Sequence, residues 1–222
     1  MMGTVVLVHG AFVDGSSWRP VYDLLTADGY RIAVVQNPTL SLHDDAAVTR
    51  RTIDALEGPL VLAGHSYGGA VITEAGTHDK AAALVYIAAF APDAGETVKA
   101  LGGDPDSPDL PIVEGPGGFF FQNRDTFHDA FGADLSAADA AFLADSQVPW
   151  GADAMAGAVT EPAWRSKPSW YLIATEDRMI TPSDQRAMAN RAGATTVEVA
   201  ASHAVYMTQP RAVAALIRQA VG

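Results

Sequence analysis

The stretch Pro59-Leu60-Val61-Leu62-Ala63-Gly64-His65-Ser66-Tyr67-Gly68-Gly69 decides the reading of this chain. Its first half is a short, continuously apolar run, the pattern of a strand covered on both faces. Its second half is Gly-x-Ser-x-Gly, and Ala70, Val71, Ile72 and Ala75 follow with helical spacing. A serine on a tight strand-to-helix turn is thrust outward in a strained backbone conformation. Side chains two places before or after it would collide with neighbouring elements, so glycine stands there. The helix that follows aims its first N–H groups at developing negative charge. The five-residue pattern alone also arises by chance; the strand before it and the helix after it make it a nucleophile elbow. A glycine-rich nucleotide loop is the competing reading, but neither Gly-x-Gly-x-x-Gly nor Gly-Lys-Ser/Thr is present.

Outward from the elbow, similar apolar runs recur at Val5–His9, Arg31–Gln36, Ala83–Ala89, Trp170–Thr175 and Thr196–Ala200. Helical patterns separate them. Ser17 can cap a helix reaching Ala27, a second runs from about Asp44 to Leu56, and a third follows Ser66. A fourth begins near Pro182, and a last covers Pro210 to Val221. Strand–helix alternation of this kind predicts an α/β fold with a doubly wound, mostly parallel sheet of about six strands. One interval breaks the rhythm: residues 91–167 are too long for a plain loop. They hold Phe119, Phe120, Phe121, Phe127, Phe131, Phe142, Trp150 and Trp164, with helical patterns at Asp125–Leu135 and Ser136–Ser146. We read 91–167 as a helical lid inserted into a core made of residues 1–90 and 168–222.

Composition narrows the partners. The 222 residues carry 14 Lys+Arg against 26 Asp+Glu, a net charge of −12, which argues against nucleic acid and anionic membrane surfaces. No stretch approaches the roughly 20 apolar residues of a membrane helix, and the N-terminal apolar run is too short for a signal peptide. The absence of cysteine removes disulfides and thiolate chemistry and suits a reducing, cytoplasmic compartment. Oligomeric state, monomer or dimer, is left open.

A serine nucleophile needs a base, and six histidines are few enough to search one by one. His9 ends the first strand, His43 precedes a helix, and His65 adjoins Ser66, so its ring should point away. His78 sits late in the helix after the elbow, and His128 lies in the lid. His203 follows the last strand, where active sites of open α/β sheets form, and is the expected base. The acid that orients it should lie between them in chain order. Asp177, at the exit of the Trp170–Thr175 strand, is the first choice, with Asp93 as its rival. Leu7-Val8-His9-Gly10-Ala11-Phe12 supplies a further part: a strand ending in His-Gly lets the backbone come close. The N–H of Ala11 can then join that of Tyr67 as an oxyanion hole. Phe12, Phe120, Phe121 and Trp150 are candidate pocket residues, although Phe119–Phe121 cannot all share one face.

His9-Gly10-Ala11, the elbow, Asp177 and His203 stand in the order of the α/β-hydrolase superfamily, which the chain resembles over nearly its whole length. Within it the chain looks most like the small methylesterase/hydroxynitrile-lyase-like group, which has a His-Gly-Ala opening, a nearby Trp (here Trp18) and a compact helical cap. The resemblance implies an eight-stranded sheet, here lacking its first two strands. It also implies Ser66, Asp177 and His203 as catalytic residues, Ala11 and Tyr67 as N–H donors, and no metal or organic cofactor. Lyases of the group resemble a pattern with threonine after the first-strand histidine and lysine after the catalytic one. Here those positions are Gly10 and Ala204, which favours hydrolysis of a small-molecule ester. Lyase, acyl-transfer or perhydrolase use of the same triad, and a non-catalytic binding protein on this fold, stay open at this point.

Overall fold

Side chains alternate along a strand, and the first strand shows where they go. Val5 and Leu7 pack with Trp18, Val21, Leu25 and Leu216, while Val6 and Val8 pack with Leu62, Tyr67 and Val71. Both faces are therefore covered, which is why these runs are continuously apolar. This is the arrangement in a computed structural model, in which residues 3–102 and 111–222 are described. Residues 103–110 of the expected lid lie outside the described residues.

The strands are β1 (Thr4–Val8), β2 (Arg31–Val35), β3 (Leu60–His65), β4 (Ala81–Ile87), β5 (Ile112–Glu114), β6 (Phe119–Gln122), β7 (Trp150–Gly151), β8 (Ser169–Ala174) and β9 (Thr195–Val199). Six of them form one parallel sheet in the order β2-β1-β3-β4-β8-β9. The helices are α1 (Arg19–Ala27), α2 (Leu42–Asp54), α3 (Tyr67–Ala75), α4 (Val98–Leu101), α5 (Phe127–Phe131), α6 (Ala137–Asp145), α7 (Ala152–Ala156), α8 (Pro182–Arg191), α9 (Val205–Thr208) and α10 (Pro210–Val221). Helices α1 and α10 cover one face of the sheet, and α2, α3 and α8 the other. Among the described residues no helix is long and apolar enough to cross a membrane.

From β1 the chain moves to one neighbour, β2, and then crosses back to the other, β3. The helices leaving β1 and β3 thus lie on opposite faces, and a crevice opens at the C-terminal ends of these two strands. Ala11 follows β1 and Ser66 follows β3, so both stand at its rim.

The 91–167 segment enters between β4 and β8, as the broken rhythm indicates, but it is not all helical. Strands β5, β6 and β7 form a small antiparallel sheet, with Phe120 opposite Trp150. Three-residue strands give too short a pattern to read from sequence. The Asp125–Leu135 helix is only the five residues of α5, because Gly132 ends it. Phe127 and Phe131 are stacked and buried, whereas Phe142 on α6 is 67% exposed and does not tie the lid down. Ser17 is not the cap of α1: Asp14 accepts from the Ser16 N–H and opens one 3-10 turn, Gly15–Trp18, before α1 begins.

Two glycines of the elbow are required by close approach. A Cβ on Gly68 would lie 2.5 Å from the carbonyl oxygen of Val8 and 2.7 Å from that of His9; one on Gly64 would strike the Gly68 carbonyl. Helix α3 can only reach the end of β1 without those atoms. Gly68→Ala is expected to lower folding stability by about 3 kcal/mol through overpacking against backbone that cannot yield. An unchanged urea midpoint would contradict this packing.

Candidate active site

Ser66 sits at φ 54°, ψ −124°, a conformation a non-glycine residue holds only when its surroundings impose it. The surroundings are β3 before it, α3 after it, and its own carbonyl accepting from the N–H groups of Gly69 (3.0 Å) and Phe90 (3.1 Å). Gly10 lets the loop after β1 come up against the serine: a Cβ there would lie 2.7 Å from Ser66 Cβ. This brings Ala11 to the elbow. Among the described residues, the N–H groups of Ala11 and Tyr67 donate to no other protein atom.

His203 and Asp177 meet in the interior. Asp177 Oδ2 lies 2.7 Å from His203 Nδ1, with both side chains almost wholly buried. A carboxylate acceptor puts the proton on Nδ1 and leaves the lone pair on Nε2. Asp177 is itself held firmly: Oδ1 accepts from the N–H groups of Met179 (2.7 Å) and Ile180 (3.0 Å), and Oδ2 also from Gln185 Nε2 (2.8 Å). Gln185 Oε1 accepts from the Ala174 N–H at the end of β8, which locks the amide orientation. Asp93 is elsewhere, paired with Arg165 at 2.5 Å on a partly exposed rim. Glu176 is exposed, as its neighbour's inward direction requires.

The other histidines are accounted for. His9 is buried and neutral, its Nε2 accepting from the Asn37 N–H (2.9 Å) and its Nδ1 2.8 Å from the Gly10 carbonyl; burial lowers its pKa. His65 does point away from Ser66, but into the core. Its Nε2 donates to the His203 carbonyl (2.9 Å), and its ring lies 4.6 Å from that of His203 and 4.2 Å from that of Tyr206. Burial, and then the neighbouring His203, hold its pKa well below the ordinary value. His65 thereby joins the elbow to the loop carrying His203. His78 pairs with Asp54, His128 bonds the Leu135 carbonyl, and His43 lies beside Asp44 on the surface.

A cavity of about 710 Å³, its open mouth included, has Ser66 in its wall. Ala11, Phe12, Tyr67, Phe120 and Trp150 line it, with Phe90, Met155, Met179 and Ile180 making the rest largely apolar. Strand alternation sends Phe121 the other way, onto Gly115, so it is not part of this wall. Of the three consecutive phenylalanines, Phe120 is the one that faces the cavity. Sequence reading missed Phe90, Met155, Met179 and Ile180, which stand singly in loops or short elements and carry no local signature. Among the described residues no group of three or more His, Asp or Glu is placed to hold a metal ion.

Residues 5–216 match the model of the alpha/beta hydrolase family. The chain belongs to that family. A pyrethroid hydrolase of Sphingobium wenxiniae is 30% identical over 244 residues, covering 96% of this chain and 85% of that protein. A carbendazim hydrolyzing esterase of a Nocardioides species is 33% identical over 117 residues, covering 45% of this chain and 47% of that one. Among solved structures, polyneuridine aldehyde esterase superposes with a TM-score of 0.85 at 18% identity, covering 99% of each chain. A methylesterase of Arabidopsis superposes with a TM-score of 0.81 at 18% identity, covering 98% of each chain, so this α/β-hydrolase shares its fold.

One further buried acid lies apart from the Asp177–His203 pair. Asp45 on α2 is fully buried, accepting from Tyr67 Oη (2.6 Å) and the Thr39 N–H (2.8 Å). Burial pushes its carboxyl up to about 6, although both hydrogen bonds favour the charged form. The folded value lies above the ordinary 3.8, so the folded state holds the extra proton between them. This group's stabilising contribution is therefore full below the ordinary value and is lost as pH rises through about 6. Relative to wild type, Asp45→Asn should gain on the order of 3 kcal/mol of stability between about pH 4 and pH 7. Denaturant titrations at both pH values check this; a difference between the two proteins that does not change with pH would contradict it.

Proposed function

We propose that this α/β-hydrolase cleaves carboxylic esters of small, partly apolar molecules through an acyl-enzyme on Ser66. The observation that carries the reading is the buried Asp177–His203 hydrogen bond together with a strained serine that opens into an apolar cavity. The hydrolase class is supported by the family and by relatives that are named as a hydrolase and an esterase.

In this mechanism His203 Nε2 takes the Ser66 proton as Oγ attacks the ester carbonyl. The Ala11 and Tyr67 N–H groups receive the oxyanion, at the N-terminus of α3 where the helix dipole adds to them. Asp177 holds the reactive tautomer and stabilises the imidazolium; its bonds from Met179, Ile180 and Gln185 keep it oriented. His203 then protonates the leaving alcohol and activates the water that releases the acid.

One feature favours hydrolysis over lyase chemistry. Ala204 follows the histidine, fully buried with its N–H on the Phe131 carbonyl, so no cation stands there to hold a departing anion. Phe12, Phe120 and Trp150 offer apolar contact to the acyl or alcohol group, in keeping with substrates such as aromatic or short aliphatic esters. An acidic, cysteine-free chain suits a cytoplasmic site of action.

The test is steady-state hydrolysis of p-nitrophenyl esters with acyl chains from about C2 to C12. Ser66→Ala should reduce kcat by a factor on the order of 10⁴ or more, and Asp177→Asn by a factor on the order of 10³–10⁴, with folding intact. Full turnover by folded Ser66→Ala would overturn the mechanism.

A further inference from the structure

Asp45 is the one fully buried carboxylate outside the triad among the described residues, and the mechanism above makes no use of it. A carboxylate taken out of water destabilises a fold unless its bonds hold something in place. Its two oxygens hold two different parts of the cavity wall.

Oδ2 accepts from the Tyr67 hydroxyl, at 2.6 Å. Tyr67 is the residue after Ser66 and the first of α3, and its ring is fully buried. The hydroxyl bond therefore fixes the far end of the side chain of a cavity-lining residue whose backbone N–H donates to no protein atom among the described residues. Oδ1 accepts from the Thr39 N–H at 2.8 Å, and Thr39 holds a left-handed φ of 55°. Thr39 in turn grips the lid: its hydroxyl donates to the Pro149 carbonyl (2.7 Å), and its carbonyl accepts from the Gly151 N–H (2.8 Å). Between those two bonds stands Trp150, whose ring meets Phe12 and Tyr67 edge-on, each at 5.5 Å. One carboxylate thus reaches the cavity by two arms, through Tyr67 and through Thr39 to Trp150.

We propose that Asp45 is a positioning residue of this hydrolase, setting the Tyr67 N–H for the oxyanion and the Trp150 wall for the substrate. The inference rests on the reading of Tyr67 as an oxyanion donor. The two arms have separable consequences. A displaced N–H weakens an interaction made in the transition state and lowers kcat. A loosened Trp150 weakens contacts made in both ground and transition states and raises KM.

The experiment measures kcat and KM for p-nitrophenyl butyrate with Tyr67→Phe, Asp45→Ala, Asp45→Asn and the Tyr67→Phe/Asp45→Ala double variant, alongside Ser66→Ala. Tyr67→Phe deletes one oxygen and should lower kcat about tenfold with KM within about twofold. Asp45→Ala should lower kcat similarly and also raise KM about fivefold, because both arms are lost. Asparagine keeps an acceptor for Thr39 and an N–H for the Tyr67 oxygen, so Asp45→Asn should recover both parameters to within about threefold. The double variant should have the kcat of Asp45→Ala alone, since the arm is already cut. Wild-type kcat in folded Tyr67→Phe, or single effects that multiply in the double variant, would overturn the proposal. If Asp45→Ala fails to fold, the Tyr67→Phe and Asp45→Asn arms decide it. Failure of the underlying reading shows separately, as turnover by Ser66→Ala.

Discussion

The structure depends on backbone meeting backbone where β1 and β3 part. Helix α3 starts so close to the end of β1 that only glycine fits at 64 and 68, and the loop after β1 reaches the elbow only because residue 10 is glycine. These approaches hold Ser66 in a conformation it would not choose, costing on the order of 1–3 kcal/mol. The continuous apolar faces of β1, β3 and β4 supply the rigidity that maintains it. Fold and local geometry are one constraint here: the crevice exists because the strand order reverses at β1, and the serine is strained because backbone approaches so closely at its edge.

Around that point the buried polar groups form a chain in which each member orients the next. Gln185 sets Asp177, Asp177 sets the tautomer of His203, and His65, the residue beside Ser66, pins the His203 carbonyl. The lid takes part as well: the Phe131 carbonyl accepts from Ala204, and Asp134 binds the Ser202 hydroxyl, so the histidine loop is clasped from outside. Removing one member of such a network leaves the others buried and unsatisfied, which couples stability to activity.

The six core strands could be read from sequence to within two residues at each end: β1, β3 and β4 because doubly covered strands carry an uninterrupted apolar pattern, and the exposed edge strand β9 because of its place in the strand–helix alternation. The positions of Ser66 on a strained turn after β3 and of His203 after β9 were readable because glycine spacing and strand-end position are local signals. Asp177 is already the first choice from its place at a strand exit; the structure adds that its carboxylate bonds His203 whereas Asp93 is paired with Arg165. The lid's small sheet, the inward turn of Phe120 instead of Phe121, and the exposure of Phe142 were hidden for a similar reason. Short segments take their conformation from what they pack on. Gln185 and Asp45 left no mark in the sequence: one is a helix residue eight places past the acid it holds, the other one of two adjacent aspartates in an ordinary first turn.

Acylation of Ser66 requires it to be an activated nucleophile, and intact-protein mass spectrometry after reaction with a fluorophosphonate, which phosphonylates such a serine with loss of fluoride, tests this most directly. The account predicts one adduct per chain, mapped to the peptide bearing Ser66, with labelling slowed when His203 is replaced by alanine. No adduct, or an adduct on another residue while ester turnover persists, would contradict it.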